Sequence, residues 1–140
     1  MNATRMFAHA LLLGMFVTVL CAAAPNAHAQ NISAVGVSST SLYDGQSAVG
    51  TVYLTAPTSA GCWVTLSGGY LVPTTDDTIG GRSGSPNSPR IAYFPTQVYV
   101  SPGQSAASFT IYTIAGRFRG WVNIYGHKNG TQRALIYMHP

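Results

Sequence analysis

Gln97-Val98-Tyr99-Val100-Ser101-Pro102-Gly103-Gln104-Ser105-Ala106-Ala107-Ser108-Phe109-Thr110-Ile111-Tyr112-Thr113 is two alternating segments around a Pro-Gly dipeptide. Val98 and Val100 share one face of the first, and Ala107, Phe109 and Ile111 share one face of the second. Side chains of a strand alternate between faces at a period of two, so both segments read as half-buried strands. Pro102 presets φ for the first central turn position and Gly103 accepts positive φ at the second, which predicts a type II turn and a hairpin.

The same grammar extends outward in both directions. Upstream, Asp44-Gly45 is a turn signal, and Ser47 to Thr55 alternates Ala48, Gly50, Val52 and Leu54 against Val49, Thr51, Tyr53 and Thr55. Pro57 stops that strand, because proline cannot donate to a ladder. Cys62, Val64 and Leu66 predict the inward face of a further strand, with Trp63 and Thr65 outward. Asn31 to Val37 reads as a ragged first strand and Ile91 to Phe94 as a short one. Downstream, Arg119 to His127 and Thr131 to His139 flank Lys128-Asn129-Gly130, a strong hairpin signal. Pro73 to Arg90, rich in Pro, Gly, Ser and Thr, is expected to be a long flexible loop. No stretch carries apolar residues at helical spacing over three turns. The expected fold is an all-β sandwich of seven or eight antiparallel strands.

The N-terminal stretch reads as an export signal. Arg5 is a positive n-region, Ala10 to Ala24 an apolar run short for a membrane span, and Ala27-His28-Ala29 a small-x-small cleavage pattern. Residues 1–29 are thus expected to be a cleaved signal peptide, and 30–140 a single domain with no membrane span. Cys21 comes after Leu20, where lipoprotein signals want a small residue, and falls within the removed peptide. The expected location is secreted, periplasmic or at the cell surface.

Charge narrows the function classes. The chain has no Glu, and Asp44, Asp76 and Asp77 are its only acids. Residues 30–140 hold six basic residues (Arg82, Arg90, Arg117, Arg119, Lys128 and Arg133) against those three acids, a net charge of +3. The basic residues are scattered rather than striped, which argues against nucleic acid as a partner. General acid–base catalysis wants a positioned pair of titratable groups, and none can be nominated from three acids in predicted turns and loops. Cys62 has no basic neighbour in sequence to lower its pKa, and as the lone cysteine of residues 30–140 it reads as a buried small hydrophobe. No enzyme, metal or cofactor is expected. Asp76-Asp77 supply too few oxygens for calcium, and His127 with His139, close in expected register, lack a third ligand for zinc. Asn31-Ile32-Ser33 and Asn129-Gly130-Thr131 match the glycosylation sequon, a pattern too short to mean much alone.

The order of these elements resembles the bacterial immunoglobulin-like (Big-type) domains of extracellular proteins. The resemblance rests on Asp-Gly-Gln-Ser-Ala-Val-Gly-Thr-Val-Tyr-Leu-Thr-Ala-Pro at 44–57, Gly-Cys-Trp-Val-Thr-Leu-Ser at 61–67, and Phe-Pro-Thr-Gln-Val-Tyr-Val-Ser-Pro-Gly-Gln-Ser-Ala-Ala-Ser-Phe-Thr-Ile-Tyr-Thr at 94–113. It covers roughly residues 40 to 138. The long loop after the third strand departs from the family, as does a domain standing alone behind a signal peptide.

The resemblance implies that the strand at Ser105 pairs with that at Ser47, while the strands at Cys62, Arg119 and Thr131 form the second sheet. That sheet would turn Val64, Leu66, Val122, Ile124, Ala134, Ile136 and Met138 inward. Outward it would show Trp63, Trp121, Tyr125, Leu135 and Tyr137, where a sandwich should be polar. The rings would bind a protein partner, as an adhesion or structural module does, or stack on an envelope glycan, with Asn123, Gln132 and Arg133 as hydrogen-bonding edges. The plainer alternative is scaffold, since aromatic residues are good strand formers. Self-association along exposed strand edges is a further option.

Overall fold

The computed structural model describes residues 30–73 and 88–140. The expected signal peptide and most of the expected flexible loop lie outside the described residues.

Nine strands form two facing sheets. They are β1 (Ile32–Val37), β2 (Ser41–Tyr43), β3 (Ser47–Leu54), β4 (Cys62–Pro73), β5 (Ala92–Tyr93), β6 (Gln97–Val100), β7 (Ala106–Thr113), β8 (Gly120–His127) and β9 (Thr131–His139). One sheet has the order β1-β3-β7-β5 and the other β2-β9-β8-β4-β6. The pairings β3 with β7 and β4-β8-β9 are those the resemblance implied. The described residues contain no helix. One very short strand raises the count above eight: β2 has three residues and runs parallel to β9, against the antiparallel expectation, whereas two-residue β5 falls within the short strand expected at Ile91 to Phe94. Segments this short carry too few residues to show a period.

The core is the apolar phase of each strand. Val52, Leu54, Phe109 and Ile111 from the first sheet meet Val64, Leu66, Val122, Ile124, Ala134, Ile136 and Met138 from the second, all buried. Val100 is buried with them, and Val98 and Cys62 pack against the cluster half-buried. Cys62 is a free thiol, less covered than expected because it opens its strand. Large side chains fill the space left by small ones. Gly50 lies directly across from Phe109, whose ring occupies the place a Cβ would take.

The turns form as the sequence predicts, but one connection does not. Gln104 N donates to Ser101 O at 3.0 Å and Gly103 sits at φ 79°, as a type II turn requires. The strands it joins nevertheless belong to different sheets, β6 beside β4 and β7 beside β3, so the expected hairpin is a crossover between layers. Phase predicts which face is buried, and both strands do face the core. Phase is blind to which neighbour completes the ladder. The hairpin at Asn129-Gly130 forms as read, with positive φ at both residues and His127 opposite Thr131.

A bulge in β4 changes which of its residues face the core. The register with β8 shifts between Gly68 and Leu71, so burial falls on Val64 and Leu66 before it and on Gly69 and Leu71 after it. Gly68 has φ 107°, and a Cβ there would collide with the carbonyl oxygen of Asn123 on β8. After the bulge, Tyr70 bridges Arg90, Leu71 N donates to Pro89 O at 3.0 Å, and Ile91 N donates to Gly69 O at 2.9 Å. The two ends of the expected loop are thereby held side by side.

Candidate functional site

The outward face of the five-stranded sheet carries the expected rings, divided into separate groups. Trp63 is the second residue of β4 and stands opposite Tyr99 on β6, with ring centroids 5.1 Å apart. Trp63 is 56 % exposed. Tyr99 Oη donates to Ala60 O at 3.4 Å, and its ring fills the space beside Gly61.

Trp121 lies far along the same face. It pairs with Val72 on one side and Tyr137 on the other. Trp63 and Val72 are nine residues apart along β4, at most roughly 30 Å at about 3.3 Å per residue. The two tryptophans therefore do not form one platform. Trp121 meets Tyr137 edge-on at 5.0 Å, Tyr137 meets His139 edge-on at 4.8 Å, and His139 lies 5.2 Å from Tyr43. Short β2 brings Tyr43 into this row, and His139 Nε2 is 2.7 Å from Ser41 Oγ. Arg119 Nε donates to Tyr137 Oη at 3.1 Å; that hydrogen bond, then the charge interaction with Tyr137, raises the already high pKa of the exposed guanidinium. Contacts among the rings leave Trp121 and Tyr137 half-buried, so this row is tethered where Trp63 is open.

Tyr125 belongs to a third group. It stacks on His127 at 6.3 Å and pairs with Arg133, which is exposed and has no ion-pair or hydrogen-bond partner among the described residues. Asn123 is only 4 % exposed, held in the central strand β8 between Leu135 and the β4 bulge. It lies beneath the face rather than at its edge, contrary to the expectation. Gln132 stands opposite Gly126, out of phase with Arg133, and so does not share this face. His127 ends β8 beside the first residue of β9, Thr131, whereas His139 is the last residue of β9 and pairs with Tyr43. They do not approach one another, and the described residues hold no cluster of three metal-ligating side chains.

One arrangement has the outline of a nucleophile and its base. Ser67 Oγ and His127 Nε2 are 2.7 Å apart, and His127 Nδ1 is 2.9 Å from Thr131 Oγ1. Where a carboxylate would stabilise a charged imidazole, there is a neutral hydroxyl. Asp44, the lone side-chain carboxylate among the described residues, accepts from Phe118 N at 3.0 Å instead.

Sequence reasoning did not place Tyr43, Tyr99, Arg119 or His139 on this face, and weighed His139 only as a metal ligand. Alternation alone could have flagged His139, two residues after Tyr137; the other three needed the pairing partners. It also missed that the first sheet exposes rings of its own. Tyr112 is 58 % exposed, Tyr93 is exposed directly opposite it on β5, and Tyr53 is exposed at the far end of β3. Rings on outer faces are thus a property of both sheets, and the first also has a cation, Arg90, 5.2 Å from the Tyr93 ring; what distinguishes the second is the linkage of its rings into a row.

No protein-family model matches the chain, and no curated protein is significantly similar to it. Its structure is similar to that of a class 5 fimbriae chaperone, CfaA, with TM-score 0.55 and 15 % identity over 76 % of this chain and 56 % of that one. The aligned region thus spans little more than half the length of that protein. The likeness establishes an immunoglobulin-like sandwich. Two other solved structures align at TM-scores too low to establish a common fold. One is a PapD-like domain of human CEP192 (0.38, 12 % identity, 96 % of this chain and 94 % of that one). The other is a superoxide reductase from Ignicoccus hospitalis (0.39, 12 % identity, 78 % and 81 %). No helix among the described residues is long and apolar enough to cross a membrane.

Proposed function

We propose that residues 30–140 are an exported, non-catalytic immunoglobulin-like module of the Big type that binds a protein partner through the outward face of the five-stranded sheet. The row Trp121–Tyr137–His139–Tyr43, with Arg119 at its side, carries the reading. Large rings held in place by their neighbours lose little conformational freedom on binding, and Trp, Tyr and Arg are the side chains enriched at interface hot spots. Residues 1–29 act in this reading as the cleaved signal, which puts the module in the periplasm, at the cell surface or outside the cell. The likeness to a fimbriae chaperone is in keeping with a protein ligand.

A carbohydrate-binding reading draws on a different observation. Trp63 and Tyr99 form an exposed pair of rings, and stacking on a sugar requires accessible rings of this kind. Pull-down from envelope extract beside a glycan array, with wild type, Trp121→Ala and Trp63→Ala, separates the two. Protein capture lost in Trp121→Ala supports the protein interface. Glycan binding lost in Trp63→Ala supports the sugar site. Retention of every interaction by both variants makes the rings scaffold.

A further inference from the structure

The outward face of β8 and β9 is unbalanced in charge. Arg119 reaches the Trp121–Tyr137 pair through Tyr137 Oη, and Arg133 stands opposite Tyr125. Both are exposed, and neither has a carboxylate partner among the described residues. Asp44, the one acid side chain described, is taken by the backbone at Phe118. Between the two cations lies Leu135, half-buried on the same phase of β9, directly across from buried Asn123. Trp121 and Tyr125 are four residues apart on one strand, roughly 13 Å at about 3.3 Å per residue.

That spacing is the repeat of an extended chain. Residues i, i+2 and i+4 of a strand share a face, and i to i+4 covers the same roughly 13 Å. Resting on the proposed protein-binding role of this face, we infer that its occupant is an extended acidic segment of a partner protein, with carboxylates at i and i+4 and an apolar side chain at i+2. The carboxylate at one end pairs with Arg119 beside the Trp121 and Tyr137 rings. The apolar side chain lies over Leu135, and the second carboxylate meets Arg133. Guanidinium is suited to both ends, because its planar donor fork matches a carboxylate in two-point contact. Complementary charge of this kind sets the choice of partner and the salt dependence more than it sets raw affinity.

The two tryptophans supply an internal reference for the test. Isotope-labelled protein is titrated with the peptide Glu-Thr-Val-Thr-Glu, with its Gln-Thr-Val-Thr-Gln and Lys-Thr-Val-Thr-Lys counterparts, and with polygalacturonate, while both indole N–H resonances are followed by NMR. The Glu peptide is expected to move the Trp121 signal and leave Trp63 unmoved. Its affinity should fall about tenfold or more in Arg119→Gln/Arg133→Gln and should weaken with rising salt. The double Arg→Lys variant, which keeps the charge, should retain part of the binding. These side chains are exposed, and an unchanged β-type circular dichroism spectrum confirms that each variant folds. If the Gln peptide binds as well as the Glu peptide, the acidic preference is overturned while the protein-binding face stands. If polygalacturonate moves Trp121 and no peptide does, both this inference and the protein-binding reading fall.

Discussion

The two ends of one sheet face hold the same kinds of residue in opposite states. At the β4–β6 end, Trp63 and Tyr99 form an isolated pair with the indole more than half exposed. At the β2–β9–β8 end, Trp121 is locked through Tyr137 and His139 to Tyr43, and Arg119 is tied to the row. The difference comes from neighbours. Trp63 sits on a strand flanked by an edge strand, whereas Trp121 occupies the strand between β9 and the post-bulge half of β4. An aromatic residue on an outer face is therefore a weak indicator of a site by itself. Its contacts decide whether it is a rigid anchor or a loose ring.

Graded substitutions test that contrast, and a position remote from both ends sets the scale. Phe109 is buried between the sheets, and Phe109→Ala is expected to cost about 3–5 kcal/mol, the usual penalty for emptying an aromatic core site. A denaturant titration showing a loss within about 0.5 kcal/mol would mean that the strand faces are inverted. The bulge comes next. Gly68→Ala forces a Cβ against the Asn123 carbonyl at a φ that L-residues rarely adopt, so a loss of about 2–3 kcal/mol is expected. Indole NMR should show that change at Trp121, close to the bulge, far more than at Trp63. An equal response at both would erase the distinction between the ends.

Effects at the rings themselves should be smaller. Trp121→Ala removes a half-buried indole and its edge-on contact with Tyr137, which should cost about 1–2 kcal/mol by thermal or chemical denaturation. Trp63→Ala exposes little that was covered and should stay within about 0.5–1 kcal/mol of wild type. If Trp63→Ala proves the more costly of the two, the open pair is the structural one and the tethered row is not.

The phase of each long strand is written in the chain. Val64, Leu66, Val122, Ile124, Ile136 and Met138 alternate in the sequence and are buried as that alternation requires. The Pro102-Gly103 and Asn129-Gly130 turns were equally legible, because the φ values they need are ones that few other residue pairs supply. Which strands became neighbours was settled only in three dimensions. β6 and β7, adjacent in the chain, went to different sheets, and β2 reached β9 from nearly a hundred residues away in a parallel pairing. The candidate site was settled there too, with Trp63 parted from Trp121, Asn123 buried, and Tyr43, His139 and Arg119 brought to Tyr137. The reason is physical. Alternation is a property of one strand and resides in its own residues, whereas register and order are set by backbone hydrogen bonds that every residue but proline can make, so their outcome depends on how the whole apolar surface is best buried.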